Sequence, residues 1–188
     1  MEPLLHFTIP FAILIIIGVN PKKAFLLSLL GPLPDVDAVM LTHRSLTHSV
    51  VVLGLLFVPV FIYLYSRARH YVPWAILGFL VFATHGVFDI FSSYTPVLWP
   101  ILSQSIFIRL RMNFQYTAGY SVVPDIRVQG SPTDFEQLSR FSYPIFTGEG
   151  FVLTLVILGS VLVKMAYERR LFNRFPWLNR DKKVENPN

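Results

Sequence analysis

Residues Ser49–Tyr65 read SVVVLGLLFVPVFIYLY, an uncharged apolar stretch closed by Arg67-Ala68-Arg69-His70. A helix rising 1.5 Å per residue crosses the hydrocarbon of a bilayer in about 20 residues, so this stretch reads as a membrane span. The chain around it has the same character. Of its 188 residues, 53% are hydrophobic and 14% charged, where a soluble domain carries roughly a quarter charged residues. The length suits one domain. Cysteine is absent, which removes disulfides, thiolate ligands and cysteine nucleophiles and leaves His, Asp and Glu as the strong metal ligands.

Working outward, Leu4–Val19 is a first apolar run, short for a span. It lacks the basic start and small-residue cleavage site of a signal peptide. Asn20-Pro21-Lys22-Lys23 ends it, and Ala24–Leu33 follows as a half-helix stopped by Pro32 and Pro34. Val72–Phe91 is another span. Pro96–Leu110, with Trp99-Pro100 near its start, reads as a short interfacial or re-entrant helix. From Arg111 to Gly148 polar residues, Gly and Pro dominate, and Tyr120–Val123 with Ile126–Val128 could pair as a small hairpin around Pro124-Asp125. Phe151–Ala166 is the last span. The fold expected is an all-α integral membrane protein of four to five spanning or half-spanning helices, plus one extramembrane loop that could carry that hairpin. Residues 1–110 form the membrane core, 111–148 the loop, 149–168 the last helix and 169–188 a basic tail.

The net charge of +5 is unevenly spread. Lys22-Lys23, Arg67 with Arg69, and the Arg169-Arg170 tail lie at alternate ends of successive apolar segments, as one membrane face requires. The positive-inside rule assigns that face, with the tail, to the cytoplasm. The basic tail suits an anionic membrane surface. Aromatic and basic residues are not interleaved as single-strand binding needs, so nucleic acid is not expected as a partner.

The ionisable residues inside the apolar half are grouped: Leu33-Pro34-Asp35-Val36-Asp37, His43-Arg44-Ser45-Leu46-Thr47-His48-Ser49, His85-Gly86-Val87-Phe88-Asp89, and His6. Ionisable groups at membrane depth are costly and mark functional sites. His85 and Asp89, four apart on a helical pattern, share one face. Singly, such a pair is more often an interhelical hydrogen bond than a ligand set. Asp35 and Asp37, held extended after Pro34, would point to one side, though a helix cap or Asx-turn accounts for one of them. Ser45 or Thr47 would cap the helix that begins near His48. Arg44 offers a planar donor fork to phosphate or carboxylate. His6 alone reads as an interfacial histidine, and His70 lies among basic residues with no role. Together the clusters supply up to seven oxygen and nitrogen ligands with no sulfur, suited to one to three divalent cations such as zinc or manganese.

These motifs, with Leu98-Trp99-Pro100, resemble the YdjM-like family over roughly residues 1–105. It is described as LexA-binding, inner-membrane-associated and metal-dependent hydrolase-like. The resemblance implies a multi-helix inner-membrane protein whose metal ligands are His6, Asp35, Asp37, His43, His48, His85 and Asp89, with distant similarity to zinc-dependent phospholipase C. The loop from Arg111 to Gly148 has no counterpart in that resemblance. The function expected is metal-dependent hydrolysis of a phosphoester or ester of a lipid-like substrate by metal-activated water, with zinc first and manganese second among the cations. Arg44 would stabilise negative charge and His43 would serve as a ligand or proton carrier. The ligands would face the non-cytoplasmic side, with membrane lipid as the partner. A metal-stabilised scaffold or regulator is the alternative, and an ion transporter comes last because the ligands gather near one helix end.

Overall fold

A computed structural model of the chain describes residues 2–41, 44–116, 119–135 and 144–174. The helices are α1 (Pro3–Ile16), α2 (Pro21–Ser28), α3 (Val50–Arg67), α4 (Val72–Asp89) and α5 (Gly148–Arg174). Short 3-10 helices occupy Leu33–Met40, Leu46–His48 and Arg69–Tyr71. Among the described residues three segments are long and apolar enough to cross a membrane: Val50–Arg67, Arg69–Asp89 and Gly148–Glu168. Leu55, Leu56 and Ile62 stand exposed along α3, a surface that lipid would cover and water would not favour.

α1 and α2 form a short helical hairpin inside this bundle. Asn20 caps α2 by accepting the Lys22 N–H at 3.0 Å, and Pro21 takes the first helical position, where no partner for its nitrogen is needed. α2 carries the chain back beside the start of α1. There Gly31 lies so close that an added Cβ would stand 2.0 Å from the His6 carbonyl oxygen. The half-helix therefore does return the chain to the end of the bundle where it began. Ala12, Leu14, Ile15, Ala24, Val81 and Val161 form the buried core between α1, α2, α4 and α5.

The ends of the helices sort by chemistry. His6, His48, His85 and Asp89 lie together at one end. At the other, Lys23 sits 4.2 Å over the Trp74 ring near the start of α4, close in sequence to Arg67 and Arg69. Ser49, rather than Ser45 or Thr47, caps α3, its hydroxyl accepting the Val52 N–H at 3.2 Å. The same hydroxyl donates to the Trp99 carbonyl. Asp35 and Asp37 lie on a 3-10 helix and not in extended backbone, because Pro34 falls in its first turn, where proline is tolerated.

The fold is not all-α. Gln104–Tyr116 (β1) and Tyr120–Pro132 (β2) pair antiparallel along their full length. The short helix expected over Pro96–Leu110 is absent: turns and a bend occupy 97–103 and β1 begins at Gln104. The apolar content of Ile106-Phe107-Ile108-Arg109-Leu110-Arg111 conceals a two-residue alternation, which is the period of a strand. Tyr120–Val123 and Ile126–Val128 do not face each other around a turn; both lie in β2, with Pro124 opposite Met112. A two-stranded ribbon has only edge strands, where a missing N–H is tolerated. The ribbon is tied to the bundle by the Thr95–Ile106 bridge and by the Ile108 N–H, which donates to the Ile90 carbonyl at 2.7 Å.

Close approach at Gly86 gives a test of this packing. A Cβ there would lie 2.6 Å from the His48 carbonyl oxygen, whereas one at Gly54 meets nothing within 4 Å. Gly86→Ala should destabilise the protein by about 1–3 kcal/mol through overpacking. Gly54→Ala should be neutral or stabilising by up to about 1 kcal/mol through helix propensity. Thermal unfolding in detergent measures both, and equal effects would contradict the packing.

Candidate metal centre

The C-terminal turns of α4 supply His85 and Asp89 on one helix face, and the two 3-10 helices bring Asp35 and His48 opposite them. One ligand atom from each of these four residues lies within 4.8 Å of all the others. His48 and His85 are fully buried and Asp89 nearly so.

The outer side of each imidazole fixes which nitrogen faces inward. His85 Nδ1 donates to the Gly31 carbonyl at 2.8 Å. A carbonyl only accepts, so Nδ1 carries the proton and neutral His85 presents a bare Nε2. His48 Nδ1 faces the Asp37 carboxylate at 3.3 Å and the Thr47 hydroxyl at 3.2 Å. Asp37 Oδ2 is held in place by the Ser45 N–H at 2.8 Å and the Thr47 hydroxyl at 3.1 Å. The two Nε2 atoms then meet at 3.1 Å.

Two carboxylates close the group. Asp35 Oδ1 stands 3.4 Å from His85 Nε2 and 3.7 Å from His48 Nε2. Asp89 Oδ2 stands 3.8 Å and 3.7 Å from the same atoms. Most of these separations are too long for hydrogen bonds, and neither Asp35 oxygen has a hydrogen-bond partner among the described residues. They are the right length for something else. Ligand atoms about 2.1 Å from a shared ion in tetrahedral array lie about 3.4 Å apart. Four acceptor atoms at such spacing, two of them anionic, form a cluster that could hold a metal ion.

The other expected residues stand around this core. His6 Nε2 lies 3.1 Å from Asp89 Oδ1, and the His6 ring stacks on His85 with centroids 3.8 Å apart. Asp37 touches the cluster through His48 Nδ1. Arg44, in left-handed backbone at φ 61°, brings Nε to 3.4 Å from Asp89 Oδ2 and donates to Ser92 Oγ at 3.4 Å. His43 lies outside the described residues. The Gly31 carbonyl was not foreseen, and neither was the Ser45 N–H as a support for Asp37. Backbone groups leave no mark in residue type, although Gly-Pro at 31–32 signalled a tight approach.

Residues 1–171 match the profile of the YdjM inner membrane protein family. The chain belongs to that family. The match runs through the cluster and onward across the β-hairpin into α5, so the loop region lies within the family pattern and not outside it. No curated protein and no solved structure matches the chain. The family description and the three apolar helices together place this YdjM-family protein in a membrane.

Electrostatics in the cluster favour a cation. Burial pushes the Asp35 carboxyl up, but the His48 and His85 imidazoles outweigh it and hold Asp35 well below the usual carboxylate range. Burial likewise lowers His48, yet contacts with Asp35 and Asp37 and the charge of Asp89 raise it overall. Both shifts mark a demand for positive charge at this point, which a bound metal would meet, in competition with protonation of the imidazoles. The carboxylates of Asp35, Asp37 and Asp89 are matched in charge by one divalent cation together with Arg44. Access runs past Asp35 and Arg44, whose side chains are 13% and 16% exposed.

The protein should therefore bind one divalent cation per chain. His85→Ala and Asp35→Asn should abolish binding, while Asp37→Asn, which disturbs only the outer contact to His48, should weaken it about 10- to 100-fold. Elemental analysis and competitive titration measure this. Unchanged stoichiometry in His85→Ala would contradict the site.

Proposed function

We propose that the protein is a membrane-embedded, metal-dependent hydrolase acting on a phosphoester or ester of a lipid-like substrate. The observation that carries this reading is the convergence of His48 Nε2, His85 Nε2, Asp35 Oδ1 and Asp89 Oδ2 beside an arginine. The donor set is sulfur-free and suits zinc or manganese. A bound divalent ion supplies Lewis acidity toward a phosphoryl or carbonyl oxygen and lowers the pKa of water.

The chain's own residues then have distinct tasks. Asp35, His48, His85 and Asp89 hold the cation. The Gly31 carbonyl, Asp37 and His6 keep the imidazoles and Asp89 oriented, as outer partners of metal ligands do. Arg44, partly exposed at the rim, is placed to bind the negative charge of a substrate and to stabilise its growth in the transition state. Location supports a lipid-like substrate: the cluster lies at the ends of apolar helices, where a headgroup would sit if they span the bilayer. The basic ends of the bundle would face the cytoplasm, and the cluster the opposite side.

One observation favours a second reading. Four protein atoms at tetrahedral spacing describe a closed structural site, whereas catalytic sites keep a position open. A metal-stabilised scaffold or regulator has that property.

Purified protein loaded with zinc or manganese should hydrolyse members of a panel of phospholipids and soluble phosphodiesters. Arg44→Lys should keep its metal and lose about 100-fold in kcat/KM, and His85→Ala should lose both. Cobalt-substituted protein reports the coordination number. A four-coordinate ion with no exchangeable water and no turnover across the panel would overturn the hydrolase and leave the scaffold.

A further inference from the structure

The β-hairpin has a feature that the metal cluster does not use. Its register places Ile106, Ile108, Leu110, Met112, Phe114 and Tyr116 opposite Gly130, Val128, Ile126, Pro124, Val122 and Tyr120. Residues two apart on a strand, and residues directly opposite across a pair, share one face. From Ile106 to Tyr116 this face of the ribbon is therefore apolar or aromatic, with Gln104, opposite Pro132, as its polar residue at the base. The other is mainly polar, carrying Arg109, Arg111, Asn113, Asp125, Arg127 and Gln129, with Phe107 and Val123 as its apolar residues. From Leu110 to Tyr116 on β1 and from Tyr120 to Val128 on β2 the apolar face is exposed, through Phe114, Tyr116, Tyr120, Val122, Ile126 and Val128.

A two-stranded ribbon is at best marginally stable in water without something on its hydrophobic face. With strands of thirteen residues it runs roughly 40 Å, and it carries more contiguous exposed apolar surface than a soluble protein tolerates. We infer that this face lies on the membrane interface, so that the hairpin is a lipid-contacting arm resting flat on the bilayer beside the metal cluster.

Four observations select lipid as the occupant. The base of the ribbon is bonded to Ile90, the residue after Asp89 at the end of α4, so the arm leaves the bundle at the level of the helix ends. Its far end carries aromatic residues on both strands, with Phe114 and Tyr116 packed around Tyr120, the residue type that anchors proteins at the headgroup level. Its polar face carries three arginines against one aspartate, with Arg127 bonded to Asp125 at 2.7 Å, which suits anionic headgroups. Its open edges forbid insertion across the hydrocarbon, where unpaired backbone groups find no partner. A flat amphipathic arm satisfies all four.

The chain has no cysteine, so single cysteines can be labelled without background. Phe114→Cys and Val128→Cys report the apolar face, Arg109→Cys and Gln115→Cys the polar face, and Ile62→Cys on α3 is the lipid-facing control. Each carries an environment-sensitive fluorophore in proteoliposomes of mixed neutral and anionic phospholipid, and circular dichroism confirms the fold. Labels at 114 and 128 should shift to shorter wavelength and lose about half their emission to spin-labelled lipid, as at 62, whereas 109 and 115 respond to aqueous iodide instead. The inference is overturned if 114 and 128 respond to iodide like 109. It is equally overturned if they are shielded from both quenchers, with disulfide cross-links between chains identifying a second copy as the cover and their absence another segment of this chain. None of these outcomes depends on hydrolysis, so the arm and the hydrolase reading fail separately.

Discussion

Two imidazole nitrogens 3.1 Å apart, each with its ring proton drawn to the far side, repel unless a cation stands between them. Two carboxylate oxygens close on the same point and sharpen the demand. In a buried setting such charge cannot be left to water, so the arrangement needs a proton or a metal to persist. Much of the bundle's site end follows from that requirement. α1 supplies His6 to brace Asp89, the turn after α2 supplies the Gly31 carbonyl, the 3-10 helices supply Asp35, Asp37 and His48, and α4 supplies the remaining pair.

The short α1–α2 hairpin also makes sense in these terms. A full span in place of α2 would carry residue 31 to the far membrane face, away from His85. Eight helical residues bring the chain back to the level of His6, where the absence of a side chain at Gly31 lets its carbonyl reach the His85 ring. The same economy of space recurs at Gly86, which lets the backbone of His48 approach α4.

Much of this was legible in the sequence, and for identifiable reasons. Uninterrupted apolar runs marked α3, α4 and α5, because nothing but a membrane accommodates them. Asp35, His48, His85 and Asp89 stood out because ionisable groups are expensive there, and the return of α2 was implied by the alternation of basic ends. The outer contacts were less visible: His85 is oriented by a backbone carbonyl, which residue type does not record, and Asp35 and Asp37 take different roles because a 3-10 helix replaces the extended backbone expected after Pro34. The hairpin was misplaced for another reason. Apolar content as far as Leu110 points to a helix and polar content from Arg111 to a loop, while a period of two across that boundary, with Arg109 and Arg111 alternating against Ile108, Leu110 and Met112, is what marks the strand. Pro124 obscures β2 further, since proline inside a strand usually argues for a turn, and an edge strand admits it.

X-ray absorption spectroscopy of the metal-loaded protein tests the central claim most directly, because it reads the atoms around the cation. A single ion with two imidazole nitrogens and carboxylate oxygens at about 2.0–2.2 Å is expected. A shell without imidazole scattering, or a second metal about 3.5–4 Å away, would contradict it.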